Sequence, residues 1–182
     1  GYALRVWGLA AVAALAVFFL TRVALLAHSV LASEQPLAAL LGPLALGTLR
    51  DLPVAAAAAT PWLMFELLLP ARWRARLRLP LFATYVLILL FVGVSEGLFW
   101  DEFSVRFNFI AVDYLVYTTE VIGNIRESYP VGQIVAGLLV LTGLLAWAFR
   151  RPLRAAASGT MPRRSQLGWF LSLIVVAWVI AF

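Results

Sequence analysis

The sequence predicts an all-α integral membrane protein with five transmembrane helices and further helices at the membrane interface. Of its 182 residues, 64% are hydrophobic and only 13% are charged, a balance that soluble globular domains do not have. The fourteen basic residues are all arginines, and they gather near the ends of apolar runs, which argues against a nucleic-acid partner. Because cysteine is absent, the chain has neither disulfides nor thiolate metal sites.

Five apolar runs have roughly the length that a bilayer core requires, about 20 helical residues. The region 29–50 is also apolar, but Pro36, Gly42, Pro43 and Gly47 interrupt it, so we expect a short interfacial helix there instead of a span. The transmembrane helices are expected at about 3–26, 51–69, 81–98, 131–149 and 166–182.

The arginines predict the orientation of these spans. The segment 70–80 carries four arginines without an acidic residue, and the segment 150–164 carries five. By the positive-inside rule we expect both to be cytoplasmic loops. The amino terminus is then cytoplasmic, the segment 99–130 is external, and the chain leaves residue 182 on the outer face.

The external segment 99–130 and its immediate neighbours hold most of the acidic residues. On an ideal helix an apolar seam would run beside a narrow polar stripe. Two interpretations of this stripe are open. In the first, the helix lies at the membrane surface with its charges in water; in the second, the stripe lines a groove where a polar headgroup or an adjoining domain docks. β-Branched residues and Gly123 argue against one unbroken helix. The stripe consists of Glu102, Arg106, Asp113, Glu120 and Asn124.

Three ionisable residues fall at the outer ends of predicted spans, where an unpaired charge is costly. We predict an ion pair of Arg22 with Asp51 or with Glu96, acting as structural support or as the floor of a lipid-headgroup site; the alternative is that Arg22 snorkels to the headgroups. The candidates for headgroup binding or ion pairing are therefore Arg22, Asp51, Glu96, Arg106, Asp113 and Glu120.

Known catalytic motifs are missing from the chain. It has no phosphate loop, no HExxH, no GxSxG and no dinucleotide-binding glycine pattern. Two weaker hypotheses are a cation site built from Asp101, Glu102 and Asp113, and a nucleophile at Thr118 or Thr119. We therefore assign no catalytic residue and no metal ligand.

Two runs of residues resemble a known family. Residues 99–132 read FWDEFSVRFNFIAVDYLVYTTEVIGNIRESYPVG, which resembles the segment between the third and fourth membrane helices of lipoteichoic-acid-synthase-like phosphoglycerol transferases, members of the alkaline phosphatase and sulfatase superfamily. Residues 47–59 read GTLRDLPVAAAAA, which is similar to the entry of the second helix in that family. The resemblance implies a five-helix domain of a bacterial cytoplasmic membrane that takes phosphatidylglycerol as donor.

The same resemblance implies that the catalytic machinery lies elsewhere. We expect an extracytoplasmic catalytic domain after residue 182, with a threonine nucleophile and a divalent metal, manganese or magnesium. The chain begins at Gly1 and ends inside an apolar run, so we expect a fragment. Two other functions stay open: a non-catalytic lipid-binding or regulatory membrane module, and the membrane domain of a phosphoethanolamine transferase.

Overall fold

The part of the chain that the structure describes contains five continuous α-helices and no β-strand. The structure is a computed structural model, and it describes residues 2–33, 36, 38–107, 118–156, 164, 167–168, 171 and 174–175. Within these residues the predicted all-α class is confirmed. The helices are α1 (Tyr2–Ser33), α2 (Ala38–Leu68), α3 (Ala71–Phe103), α4 (Thr118–Ser128) and α5 (Val131–Ala156).

Three of the described helices are long and apolar enough to cross a membrane, namely α1 over Tyr2–Ser29, α3 and α5. They contain the predicted spans 3–26, 81–98 and 131–149, and they confirm that the chain is a membrane protein. Helix α2 contains nearly all of the predicted span 51–69 but is not among these three. The predicted span 166–182 lies largely outside the described residues, so the total of five spans stays a prediction.

Helix α2 is longer than predicted. It begins at Ala38 and continues through Pro43, Gly47 and Pro53, so the boundary expected near residue 50 does not exist. The predicted interfacial segment 29–50 is divided instead, because its first residues extend α1 to Ser33. In an apolar medium a helix satisfies its own backbone polar groups, and neighbouring helices tolerate proline and glycine within it. Residues that would break a helix in water therefore do not separate an interfacial helix from a span here.

The described residues of the two arginine-rich segments, 70–80 and 150–156, are largely helical, where we expected connecting loops. Helix α3 begins at Ala71, one residue after Pro70, and its first turn is closed by the Arg74 backbone N–H donating to the Pro70 carbonyl over 3.1 Å. Helix α5 likewise passes Pro152 and ends at Ala156. All four arginines of the first segment, and Arg150, Arg151 and Arg154 of the second, therefore lie on terminal turns of helices, while Arg163 lies outside the described residues.

In the segment 99–130, which we expected to be external, the described residues belong largely to two helices, and α3 ends within it, as the expectation of an interrupted helix required. Helix α3 reaches Phe103, and Ser104 ends it in the left-handed conformation (φ 55°), with its N–H donating to the Trp100 carbonyl over 2.7 Å. Helix α4 then covers Thr118–Ser128 and includes Gly123, so the interruption does not fall at that glycine.

Helices α1 and α2 are antiparallel over their whole length. At one end the Tyr2 hydroxyl donates to the Glu66 carbonyl over 3.2 Å, and at the other end the Arg22 side chain contacts Asp51. Small side chains allow the two helices to approach closely. Those with no exposed surface are Ala3, Val6, Ala10, Ala14, Ala55 and Ala59.

Helix α3 runs parallel to α1 and antiparallel to α5. The Tyr85 hydroxyl donates to the Ala10 carbonyl over 3.1 Å, and the rings of Phe82 and Phe149 stack with their centroids 5.3 Å apart. Because α1 and α3 point the same way, α2 must return the chain along the length of the bundle between them. Phe82 has no exposed surface and lies in the core beside Trp62.

The helix directions give the bundle two chemically different ends. The arginine-rich end contains the start of α1, the start of α3 and the end of α5, with Arg74 and Arg154 among its residues. The acidic end contains the opposite termini, with Glu96 and Asp101. About 33 Å of helix separates Arg74 from Glu96 at about 1.5 Å per residue, which matches a hydrocarbon core about 30 Å thick.

Candidate functional site

Four of the six predicted site residues come together at the acidic end. Arg22 from α1, Asp51 from α2, Glu96 from α3 and Arg106 from the segment after α3 form two ion pairs, which we call the four-charge cluster. These residues are far apart in sequence, and three antiparallel or parallel helices are needed to bring them to one depth. Two cations and two anions make the cluster neutral overall.

The first pair is Arg22 with Asp51, which confirms one of the two predicted pairings. The guanidinium binds both carboxylate oxygens: Nη2 donates to Oδ1 and Oδ2 over 2.8 Å, and Nε donates to Oδ2 over 3.2 Å. The side chains are only 13% and 14% exposed. A two-pronged arrangement of this kind fixes the orientation of both groups and contributes more than a single contact. Arg22 is therefore held between helices instead of reaching freely toward the headgroups.

Gly47 makes room for this pair. It lies one helical turn before Asp51 on α2, and a Cβ built on it would come within 2.0 Å of Nη1 and 2.2 Å of Cζ of Arg22. The guanidinium therefore lies directly against the backbone of α2, where only glycine leaves space. The requirement is steric, because Gly47 lies within a continuous helix and needs no unusual backbone angle.

The second pair is Glu96 with Arg106, and it excludes the alternative pairing of Arg22 with Glu96. Nε of Arg106 donates to Oε1 of Glu96, whose side chain is 11% exposed. This hydrogen bond, with the charge of Glu96 and that of Asp51, raises the pKa of Arg106 against the opposing effect of its partial burial. The influence of Asp51 on Arg106 shows that the two ion pairs are close enough to interact.

Arg106 is the accessible member of the cluster. Its side chain is 42% exposed, roughly three times as much as that of Arg22. A guanidinium that is held by a carboxylate on one side and open on another is well suited to bind a phosphate oxygen, because its donors are already oriented. The cluster therefore supplies an oriented cation at the membrane surface above a buried, rigid ion pair.

The remaining two predicted site residues do not join the cluster. Asp113 lies outside the described residues. Glu120 is exposed in the first turn of α4, where its negative charge interacts favourably with the helix dipole. On helix α4, Val121 and Ile125 are partly buried, while most of the other side chains are exposed. This pattern is typical of a helix lying at an interface.

A second polar contact at the acidic end joins α3 to the segment before α5. The Tyr129 hydroxyl donates to Oδ2 of Asp101 over 2.9 Å, and this bond raises the pKa of Tyr129. Nε2 of His28 lies 4.0 Å from Oδ1 of the same carboxylate. All three groups are largely accessible, so the contact orients the chain at the surface and contributes little to stability.

The arginine-rich end contains a cluster that the sequence did not reveal. Glu66 has no exposed surface, and Arg78 binds both of its carboxylate oxygens, with Nε to Oε1 at 2.7 Å and Nη2 to Oε2 at 3.0 Å. Nη1 of Arg74 donates to the Tyr2 hydroxyl over 2.6 Å and to the Glu66 carbonyl over 2.5 Å. The one available signal was Glu66 itself, a lone acid within an apolar helix next to an arginine-rich segment.

The described residues do not contain three His, Asp or Glu side chains placed to hold a metal ion. The hypothesised cation site of Asp101, Glu102 and Asp113 is not tested by this, because Asp113 lies outside those residues. Thr119 is exposed in the first turn of α4 and is not in contact with a described base, and the side chain of Thr118 is outside the described part. No reaction step is therefore assigned to these residues.

The fold and the two clusters define an all-helical membrane protein whose buried charges are paired at opposite ends of one bundle. Comparison of the chain with family models, with curated proteins and with solved structures finds no match.

Proposed function

We propose that this chain is the membrane domain of an envelope phosphoglycerol transferase that uses phosphatidylglycerol as donor. In this proposal the bundle anchors and orients an extracytoplasmic, metal-dependent catalytic domain and holds the donor headgroup at the outer leaflet. The manganese or magnesium ion belongs to that catalytic domain, and no residue of this chain is assigned to it. The resemblance of residues 99–132 to lipoteichoic-acid-synthase-like enzymes is the basis for proposing this reaction and this donor lipid.

The observation that carries the proposal is the four-charge cluster with its accessible guanidinium. Arg106 lies inside the run 99–132, and it stands 42% exposed over a pair of charges that are themselves nearly buried. A phosphodiester that approached from the membrane surface would meet an oriented donor without having to break the Arg22–Asp51 pair. Preorganised donors of this kind bind phosphate at a lower cost in side-chain entropy.

The orientation follows from the distribution of arginines between the two ends. If the arginine-rich end faces the cytoplasm of a bacterial cell, as the positive-inside rule requires, the four-charge cluster faces outward. The amino terminus is then cytoplasmic. A fifth span over 166–182 would take the chain out to the catalytic domain.

Lipid identification on the purified chain tests the binding part of the proposal. We expect phosphatidylglycerol to be enriched over phosphatidylethanolamine among the lipids that copurify and are identified by mass spectrometry. Arg106→Gln is expected to reduce that enrichment severalfold, while the matched variant Arg126→Gln, which removes an exposed arginine from α4, leaves it unchanged. Enrichment of phosphatidylethanolamine would favour the membrane domain of a phosphoethanolamine transferase instead.

A transfer assay tests the enzymatic part and uses the full natural protein. The protein is incubated with phosphatidylglycerol labelled in its glycerol phosphate, or with labelled phosphatidylethanolamine, and the headgroup that leaves the lipid is measured. We expect only glycerol phosphate to be transferred. Binding of phosphatidylglycerol without transfer of its headgroup would support the non-catalytic lipid-binding or regulatory module.

A further inference from the structure

The arginine-rich end holds a groove between α3 and α5, which we call the arginine groove. It is a small groove, partly open to solvent, and is lined by Ala75, Arg78, Leu79, Arg150, Leu153 and Arg154. Arg150 and Arg154 are one helical turn apart on α5 and face Arg78 of α3 across the groove. Three guanidinium groups therefore surround one small space.

The chain offers too little negative charge to balance these arginines. Glu66 is the acidic residue of this end, and Arg78 already binds both of its oxygens. The sequence has no acidic residue between Glu66 and Glu96 or after Glu127, so no other carboxylate is available nearby along α3 or α5. Among the described residues no carboxylate pairs with Arg150 or Arg154, so both can bind an anion from outside the chain.

The guanidinium groups of the groove are held in place before any ligand arrives. Glu66 fixes Arg78, and the guanidinium of Arg150 lies over the ring of Trp147 with 4.8 Å to the centroid. Leu153 is 2% exposed and forms an apolar base. Oriented guanidinium forks match the geometry of phosphate oxygens.

The surface next to the groove points to a lipid as the source of the phosphate. One and two turns closer to the centre of the bundle, Trp147 and Leu144 expose 63% and 59% of their surface, which forms an apolar track beside the charged groove. A free anion would leave this track uncovered, whereas an acyl chain would lie along it. Basic pockets between helices at the cytoplasmic side of membranes bind anionic headgroups in this way.

We propose that the arginine groove binds the phosphodiester headgroup of an anionic phospholipid, with one acyl chain along Leu144 and Trp147. This site is at the end of the bundle opposite the four-charge cluster, goes beyond the proposed function and does not depend on it. The lipid supplies the negative charge that the chain lacks and joins α3 to α5 at this surface.

Native mass spectrometry of the full chain in a neutral detergent tests the site, because individual bound lipids are counted without a charged membrane surface. The probes are phosphatidylglycerol, phosphatidylcholine and inorganic phosphate. In the Arg106→Gln background, in which we expect weaker binding at the acidic end, we expect one phosphatidylglycerol to bind in preference to phosphatidylcholine. Millimolar inorganic phosphate should not displace it; displacement would overturn the assignment to a lipid.

Paired variants separate a built site from the general positive charge of this end. Arg150→Gln with Arg154→Gln is expected to weaken the binding of the first phosphatidylglycerol by about tenfold, the loss of two charge-assisted hydrogen-bond donors. The matched pair Arg72→Gln with Arg76→Gln removes two exposed arginines outside the groove and should change binding less than about twofold. Equal losses in the two pairs would overturn the proposal.

A third variant keeps every charge and fills the space. Ala75 lines the groove and is exposed, so Ala75→Phe should occupy the groove without disturbing the core. We expect it to weaken phosphatidylglycerol binding about as much as the double arginine variant does, with an unchanged melting temperature measured in lipid-free detergent. Full binding by this variant would refute a site in the groove even if the arginine variants fail to fold.

Discussion

The strongest prediction concerns the buried carboxylate of Glu66. Replacing it by glutamine keeps the size of the side chain and removes its charge, and the backbone carbonyl that accepts from Arg74 is untouched. Arg78 is only 14% exposed, and Arg74, whose Nε lies 3.7 Å from Oε2 of Glu66, only 16%, so the substitution leaves two nearly buried cations without their anion. Breaking one side of a buried ion pair typically costs about 3–5 kcal/mol.

We expect Glu66→Gln to lie at the lower end of that range. Arg78 is on the third turn of α3, near the membrane surface, and part of its guanidinium can turn toward water or headgroups once it is released. The predicted loss is therefore about 3 kcal/mol of unfolding free energy. It is measured by reversible unfolding of the full chain in detergent micelles, with helix content as the signal.

A double-mutant cycle decides whether the lost contact is the cause. Adding Arg78→Gln to Glu66→Gln removes the cation that binds Glu66 most closely and leaves Arg74, so we expect the double variant to recover about 2 kcal/mol relative to the sum of the single losses. The control Glu120→Gln, which neutralises an exposed carboxylate on α4, should cost less than about 0.5 kcal/mol. A loss below about 1 kcal/mol for Glu66→Gln, or additive single effects, would refute the reasoning.

Three further predictions test the acidic end and the orientation. Gly47→Ala should force Arg22 away from Asp51 and lower the unfolding free energy by about 2 kcal/mol. The control Gly123→Ala, whose Cβ meets open space, should not destabilise the chain. Equal effects of the two substitutions in the unfolding assay would contradict the steric argument. The hydrogen bond to Asp101 raises the pKa of Tyr129, so the stability that this bond contributes is complete below pH of about 10 and is lost as the pH rises through the raised pKa. A spectrophotometric titration compared with that of Tyr129→Phe should show that this phenol ionises at a higher pH than a free tyrosine. Asp101→Asn should return the pKa of Tyr129 toward its normal value. Because the chain lacks cysteine, Arg72→Cys and Glu120→Cys can be labelled singly in intact cells; only the second should react with an impermeant maleimide, and labelling of both from one side would reject the proposed orientation.

The acidic end shows which tertiary contacts a sequence can anticipate. Arg22 and Asp51 lie at the same predicted depth in neighbouring antiparallel spans, and a charge at membrane depth needs a partner. Depth alone left Glu96 as an equal candidate for Arg22. Only the structure shows that Asp51 binds Arg22 and that Glu96 is bound by Arg106, which follows the left-handed end of α3 at Ser104.

The helix boundaries were the least predictable feature, since they depend on solvent as much as on propensity. Pro43, Gly47 and Pro80 interrupt helices in water, where the freed backbone groups and the loose chain are well solvated. Inside a bundle the same residues lie in continuous helices, because leaving the helix would expose unpaired backbone groups to an apolar medium.

Sequence by itself determined that the chain is an all-helical membrane protein and where three of its apolar helices lie. It also showed that the arginines and the acidic residues are segregated along the chain. These features can be predicted because hydropathy and charge are local properties. Tertiary structure alone decided that α2 is one helix, that Glu66 is bound by Arg78, and that Arg150 and Arg154 share a groove with α3. These facts depend on the relative offset and rotation of helices, which are set by close packing of small residues such as Ala10 and Ala59 and are not written in any single segment.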